Sequence, residues 1–147
     1  MTTAPTLKDK KLITYANLIG IKASDGMELS DRVKVGFPFK AFISLTKSMQ
    51  LTNQRLAELV QISGSTLNRR LKEGKLKADE SERLLRISRI YTLSLNLFDG
   101  NSSSARKWLS SSNRALGGES PLEASKTEVG SREVENLITQ LEHGVFS

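Results

Sequence analysis

The chain has 147 residues, 37% of them hydrophobic and 26% charged, enough to bury a modest core as one domain or as two small modules that share one. It contains no cysteine and one histidine, which excludes disulfides, thiolate metal sites and cysteine nucleophiles. The formal net charge of +6 is uneven: residues 1–50 carry 8 Lys/Arg against 4 Asp/Glu, residues 51–98 carry 9 against 5, and residues 99–147 carry 5 against 7. A basic first two thirds suits a part that faces nucleic acid, and a mildly acidic last third suits a different partner. No run approaches the ~18 apolar residues of a membrane span. The N-terminal MTTAPTLKDKK lacks the apolar stretch of a signal peptide. A cytoplasmic protein without membrane contact is expected.

In chain order, residues 8–18 carry Leu12, Ile13, Tyr15 and Ala16, with Ile19 just beyond, at spacings that predict a short helix. Gly20, Ser24, Asp25 and Gly26 end it, and a second helix is expected near Leu29 with Ser30 as its N-cap. Gly36-Phe37-Pro38 punctuates the chain. Pro38 suits a first helical position, and Phe39, Phe42, Ile43, Leu45 and Met49 predict a helix over 38–49. Thr52 is expected to cap a helix carrying Leu56, Ala57, Leu59 and Val60. After the turn Gln61-Ile62-Ser63, Ser63 caps a further helix that Gly74 ends. A longer helix over 78–98 carries Leu84, Ile87, Tyr91, Leu95 and Phe98, widened by Ile90, Leu93 and Leu97. Such breadth implies burial on two sides and a mechanical link between modules. Asp99 to Ser104 reads as a loop.

Three short helices follow. One spans 105–111 with Trp108 and Leu109. Ser120-Pro121-Leu122-Glu123 is a capping box with Pro at N1. The last starts near Ser131 and carries Val134, Leu137, Ile138 and Leu141 at i, i+3, i+4, i+7, with His143 in its last turn and Gly144 beyond its cap. No segment alternates long enough for a strand. The fold class is all-α: a helix-turn-helix bundle joined by a long helix to a small C-terminal helical module. Residues 1–35 form an extension, 36–98 the helix-turn-helix domain and 99–147 the C-terminal module.

Residues 56–71 have helix-turn-helix spacing. Ala57 is small where two helices cross, Ile62 fills the turn, and Leu67 and Leu71 are expected to hold the second helix to the core. Gly64, Ser65, Asn68, Arg69 and Lys72 then point outward as groups able to enter a major groove. Arg69 suits guanine and Asn68 adenine. Ser63 and Thr66 suit capping or phosphate contacts, and Lys72, Lys75 and Lys77 suit phosphates. The candidate DNA-binding residues are therefore Ser63, Ser65, Thr66, Asn68, Arg69 and Lys72. Helix-turn-helix symmetry predicts a homodimer on operator DNA.

The run Ser63-x-x-Thr66-Leu67-x-Arg69-Arg70-Leu71, then Leu76, then Glu80-Ser81-x-Arg83-Leu84-x-Arg86, resembles the Xre/MbcA/ParS antitoxins. So does the C-terminal series Ala105-x-x-Trp108-Leu109, Asn113, Leu116-Gly117-Gly118, Pro121-Leu122, Thr127, Gly130, Val134 and Glu142-x-Gly144. The resemblance covers residues 38–145 and leaves residues 1–35 aside. Two positions depart from it. Gln61 replaces a turn glycine. Lys77 replaces a polar N-cap, so Asp79, with Glu82 three residues on, is expected to cap that helix. The resemblance implies a RES-domain toxin as partner, acting on NAD or ADP-ribosylating targets, and repression of the shared operon.

The C-terminal module is too short for a large core of its own. Its final helix and tail are expected to cover the toxin's active-site entrance, through Leu141, Glu142, Gly144, Val145 and Phe146, with Glu142 facing cationic groups. Alternatively Val134, Leu137 and Leu141 pack on the module itself. Trp108 reads as core, and Gly117-Gly118, Gly130 and Asn113 as turn formers. Catalysis is not expected, nor a metal or cofactor: His143 is alone and no phosphate-cradling glycine loop precedes a helix. The rival reading is a stand-alone repressor whose C-terminal module only dimerises.

Overall fold

The computed structural model describes residues 14–144, which divide into two compact units at Arg89/Ile90. Its elements are helical throughout, apart from an isolated antiparallel bridge between Pro38 and Lys75. Helix α1 is described over residues 14–18. Then come α2 (Gly26–Val35), α3 (Phe39–Met49), α4 (Asn53–Leu59), α5 (Gly64–Glu73) and α6 (Ala78–Leu97). The second unit adds α7 (Ser102–Ser110), a 3-10 turn (Arg114–Leu116), α8 (Pro121–Ala124) and α9 (Glu128–Glu142).

Several helix starts differ from the sequence reading, and for α2, α7 and α9 the reason is a polar side chain that caps earlier. Asp25, not Ser30, caps α2 by accepting from the Glu28 N–H at 2.8 Å. Pro38 is the N-cap of α3 and not its first helical residue; its φ of −62 and ψ of 147 are extended. Asn101 caps α7, so Ser102 to Ser104 form its first turn and not a loop. Thr127 caps α9 about one turn before Ser131. Thr52, Ser63 and Ser120 cap where expected.

In the first unit Phe37, Phe42, Leu45, Leu56, Leu59, Leu76, Leu84 and Ile87 are fully buried. Tyr15, Ile19, Ile21 and Leu29 join this core, in the same compact unit as α3 to α5. The Ser88 hydroxyl donates to the Tyr15 carbonyl at 2.7 Å and fastens α1 to α6. The segment before α3 is zipped to the segment after α5: Phe39 N–H donates to Gly74 C=O, and Leu76 N–H to Phe37 C=O, both at 2.9 Å. Gly36 makes this possible. Its φ is +95, and a Cβ there would strike the Leu76 carbonyl.

The second unit has a leaner core of Ile90, Tyr91, Ala105, Leu109, Leu122, Val134, Leu137 and Ile138. The C-terminal half of α6 is less buried than its apolar stripe predicts, since Leu93, Leu95, Leu97 and Phe98 remain half-buried. Among the described residues, no helix is long and apolar enough to cross a membrane.

Candidate functional site

The α4–turn–α5 unit is set by its backbone caps. Ile62 N–H donates to Ala57 C=O at 2.8 Å and Gln61 N–H to Glu58 C=O at 3.2 Å, the paired bonds of a Schellman turn. That turn demands a left-handed residue, and Gln61 takes the conformation at φ 57 without being glycine. The turn therefore forms despite the substitution, at a strain of about 1 kcal/mol. Ile62 is buried beneath it, as its position in the turn requires.

A single turn at the start of α6 then fixes the three preceding segments. Glu80 accepts from Arg70 Nε at 2.7 Å, holding α5. Arg83 Nε donates to the Val60 carbonyl at 2.6 Å, satisfying the end of α4. The Ser81 hydroxyl accepts from Phe37 N–H and donates to Lys77 C=O, both at 2.8 Å. Glu80 also accepts from Lys77 N–H at 2.8 Å, reaching back as the N3 residue of a capping box does. Lys77 is thus the N-cap position, and Asp79 does not cap this helix; it sits inside the first turn, paired with Arg83 at 3.4 Å.

The Arg70–Glu80 pair is buried, each side chain under a tenth exposed. Burial alone would raise the Glu80 carboxyl. The hydrogen bonds from Arg70 and Lys77 N–H, with the Arg70 charge, outweigh it and hold the group below the usual glutamate range. Reciprocally, the hydrogen bond to Glu80 raises the Arg70 guanidinium against the effect of its burial. This pair corrects the expected anchoring of α5. Leu67 is half-buried, but Leu71 is 58% exposed and Arg70 is the one buried residue of the helix. Successive helical residues are turned by about 100°, so burying Arg70 swings Leu71 outward.

With that orientation Ser65, Asn68, Arg69 and Lys72 are exposed on α5, and Thr66 is half-buried. Ser63 is exposed at the cap, where its Oγ accepts from Thr66 N–H at 3.3 Å and donates to Thr66 Oγ1 at 3.0 Å. Arg69 Nη2 donates to the same Thr66 Oγ1 at 3.2 Å. Ser63 and Thr66 therefore steady the start of α5 and the Arg69 side chain. Lys75 and Lys77 are exposed as well. Between α4 and α5 lies a cleft of about 480 Å³ whose walls include Gln54, Glu58, Gly64 and Asn68.

In the second unit Val134, Leu137 and Ile138 of α9 are buried within the module, so that stripe is core. Leu141 is half-buried, while Glu142 and Gly144 are exposed. Val145 and Phe146 lie outside the described residues. Asn113 caps the 3-10 turn by accepting from Ala115 N–H at 3.0 Å, and Gly117 and Gly118 take φ 68 and 91, as turn formers do. Gly130 is not a turn residue. It lies in the first turn of α9, where a Cβ would collide with the Ala124 carbonyl. Trp108 is not core either: it is half-buried and meets Phe98 with ring centroids 6.2 Å apart.

Reading the sequence missed Arg70 and Glu80 as a pair and Phe98 with Trp108 as a pair. In each case the partners stand ten residues apart and do not share a helix, Phe98 lying in the turn after α6, and helical periodicity links only neighbours along one helix. The signal present was the run Glu80-Ser81-x-Arg83, whose three polar side chains prove to be the three clamps.

Residues 28–89 match the family described as Antitoxin Xre-like helix-turn-helix domain, and residues 95–144 match Antitoxin Xre/MbcA/ParS C-terminal toxin-binding domain. The chain is 36% identical over 130 residues to Antitoxin Xre of Yersinia enterocolitica, covering 88% of each chain. It is 29% identical over 130 residues to Antitoxin Xre of Photorhabdus laumondii, again covering 88% of each. With Antitoxin Xre of Pseudomonas putida it shares 29% over 123 residues, covering 83% of this chain and 75% of the other.

Proposed function

Because the chain belongs to the Xre antitoxin family, we propose that it neutralises a RES-domain toxin and represses the operon that encodes both proteins. Residues 36–98 serve DNA and residues 99–147 serve the toxin. The observation that carries this reading is the C-terminal match to a toxin-binding domain, on a chain whose α5 exposes Ser65, Asn68, Arg69 and Lys72.

On DNA, Ser65, Asn68, Arg69 and Lys72 meet the major groove, with Arg69 donating to guanine and Asn68 pairing with adenine. Ser63 and Thr66 orient that face and contact phosphate, and the chain acts as a homodimer on paired half-sites. On the toxin, Leu141, Glu142, Gly144, Val145 and Phe146 cover the active-site entrance. The chain itself carries no catalytic role, and the complex works in the cytoplasm.

Co-expression with the adjacent open reading frame tests this reading, with host growth and co-purification as readouts. A product that is toxic alone, is silenced by this chain and co-purifies with it is the expected result. Neutralisation undiminished by deleting residues 142–147 would remove the tail from the mechanism. Absence of both toxicity and complex would leave a stand-alone repressor.

A further inference from the structure

The chain has one tryptophan, and its lean second core would gain most by swallowing it. Instead Trp108 stays half-buried. With Phe98, Ser104, Lys107 and Ser111 it lines an open, mostly apolar cleft of about 340 Å³. The Phe98 and Trp108 rings stand at 57° to each other and form two walls of that cleft. The volume lies at the low end of ligand pockets, roomy enough for a bulky side chain and cramped for a dinucleotide. The one charged lining residue is Lys107, which is exposed and has no ion pair among the described residues. It stands in a stretch, residues 99–147, whose other charges sum to net acid.

We propose that the Phe98–Trp108 cleft is an anchor point for the toxin: it receives an apolar side chain flanked by a carboxylate that pairs with Lys107. The inference rests on the reading of this module as toxin-binding. All five lining residues fall within the matched residues 95–144. An aromatic cleft ringed by polar groups is the form in which a few residues carry most of an interface's affinity. A lone cation on its rim selects an acidic neighbour and disfavours a basic one. Val134, Leu137 and Ile138 of α9 cannot serve as this anchor, because they are already spent on the core.

The single tryptophan gives a direct test. The full chain is labelled with 5-fluorotryptophan, and its one fluorine resonance is followed as the unlabelled product of the adjacent reading frame is added. The resonance is expected to shift and to saturate at complex stoichiometry. Lys107→Glu is expected to weaken the complex by about tenfold or more, with melting temperature and operator binding unchanged, and Trp108→Ala to weaken it further. A complex that forms without moving the resonance, or that Lys107→Glu leaves intact, overturns the proposal. A shift produced by raising the concentration of this chain alone overturns it in favour of a second copy in the cleft. Failure of the unaltered chain to form any complex overturns the toxin-binding reading itself, an outcome distinct from the other two.

Discussion

Helices α5 and α9 are held in opposite ways. α5 buries one residue of ten, Arg70, and is fixed by an ion pair to Glu80 together with the turn that enters it. α9 buries Ser131, Val134, Leu137 and Ile138, and lies so close to α8 that residue 130 has to be glycine. An apolar stripe fastens a helix by consuming one of its faces. A single charged pair leaves nearly the whole circumference free for polar side chains. The contrast teaches that α5 can present a nearly complete binding face because its anchoring is concentrated at one point. That concentration also makes it vulnerable.

The largest effect is expected at that point. Glu80→Ala leaves the buried Arg70 with only the half-exposed Glu73 carboxylate, 3.5 Å away, as its partner, a loss of about 3 kcal/mol, measurable by urea unfolding. The same pair sets a pH dependence. Glu80 is held below the ordinary glutamate value of about 4.3, so its contribution is complete above that value and is lost as pH falls through the lowered one. Melting temperature is expected to fall between pH 5 and pH 3 more steeply in the wild type than in Glu80→Gln. Equal slopes would break the contrast, since α5 would then be held by something other than this charge.

On the other side of the comparison, Gly130→Val drives a side chain into the Ala124 carbonyl. A loss of about 1–3 kcal/mol is expected, as for other overpacked sites, together with faster amide exchange in α9. Unchanged exchange would show that α8 yields easily and that the contact is not what fixes α9. Arg69→Ala sharpens the functional half of the contrast. It removes no buried contact, so stability is expected to hold while operator affinity drops by about 1–3 kcal/mol and discrimination at one base pair relaxes. The smallest effect is expected at the turn. Gln61→Gly relieves the left-handed strain at φ 57 and, after glycine's extra unfolded-state entropy, is expected to stabilise by roughly 0.5 kcal/mol. A lower melting temperature would show that Gln61 makes a compensating contact.

The elements themselves were legible from the chain because they depend on neighbours in sequence. Thr52, Ser63 and Ser120 cap, Ile62 plugs the turn, and the α9 stripe follows its period. Boundaries differ where two polar residues could cap, as with Asp25 against Ser30, and where Asn101 caps a helix whose first turn has the composition of a loop. Hydroxyl, amide and carboxylate oxygens all accept from the first N–H groups of a helix, and only the packed chain selects among them. Leu71 and Trp108 slipped for another reason. Apolar character marks a residue as able to be buried, but which residues of a helix face inward depends on the rotation its partners impose.

Local sequence suffices for the all-α class, the helix-turn-helix spacing and the polar character of the face that follows the turn. These arise from local periodicity, capping and turn chemistry, all carried within a few residues. The tertiary structure alone decided that Arg70 rather than Leu71 turns inward, that one turn of α6 clamps α4, α5 and the segment before α3, and that Trp108 stops short of the core. Those outcomes depend on pairs far apart along the chain, whose energies exist only once burial removes water from between them.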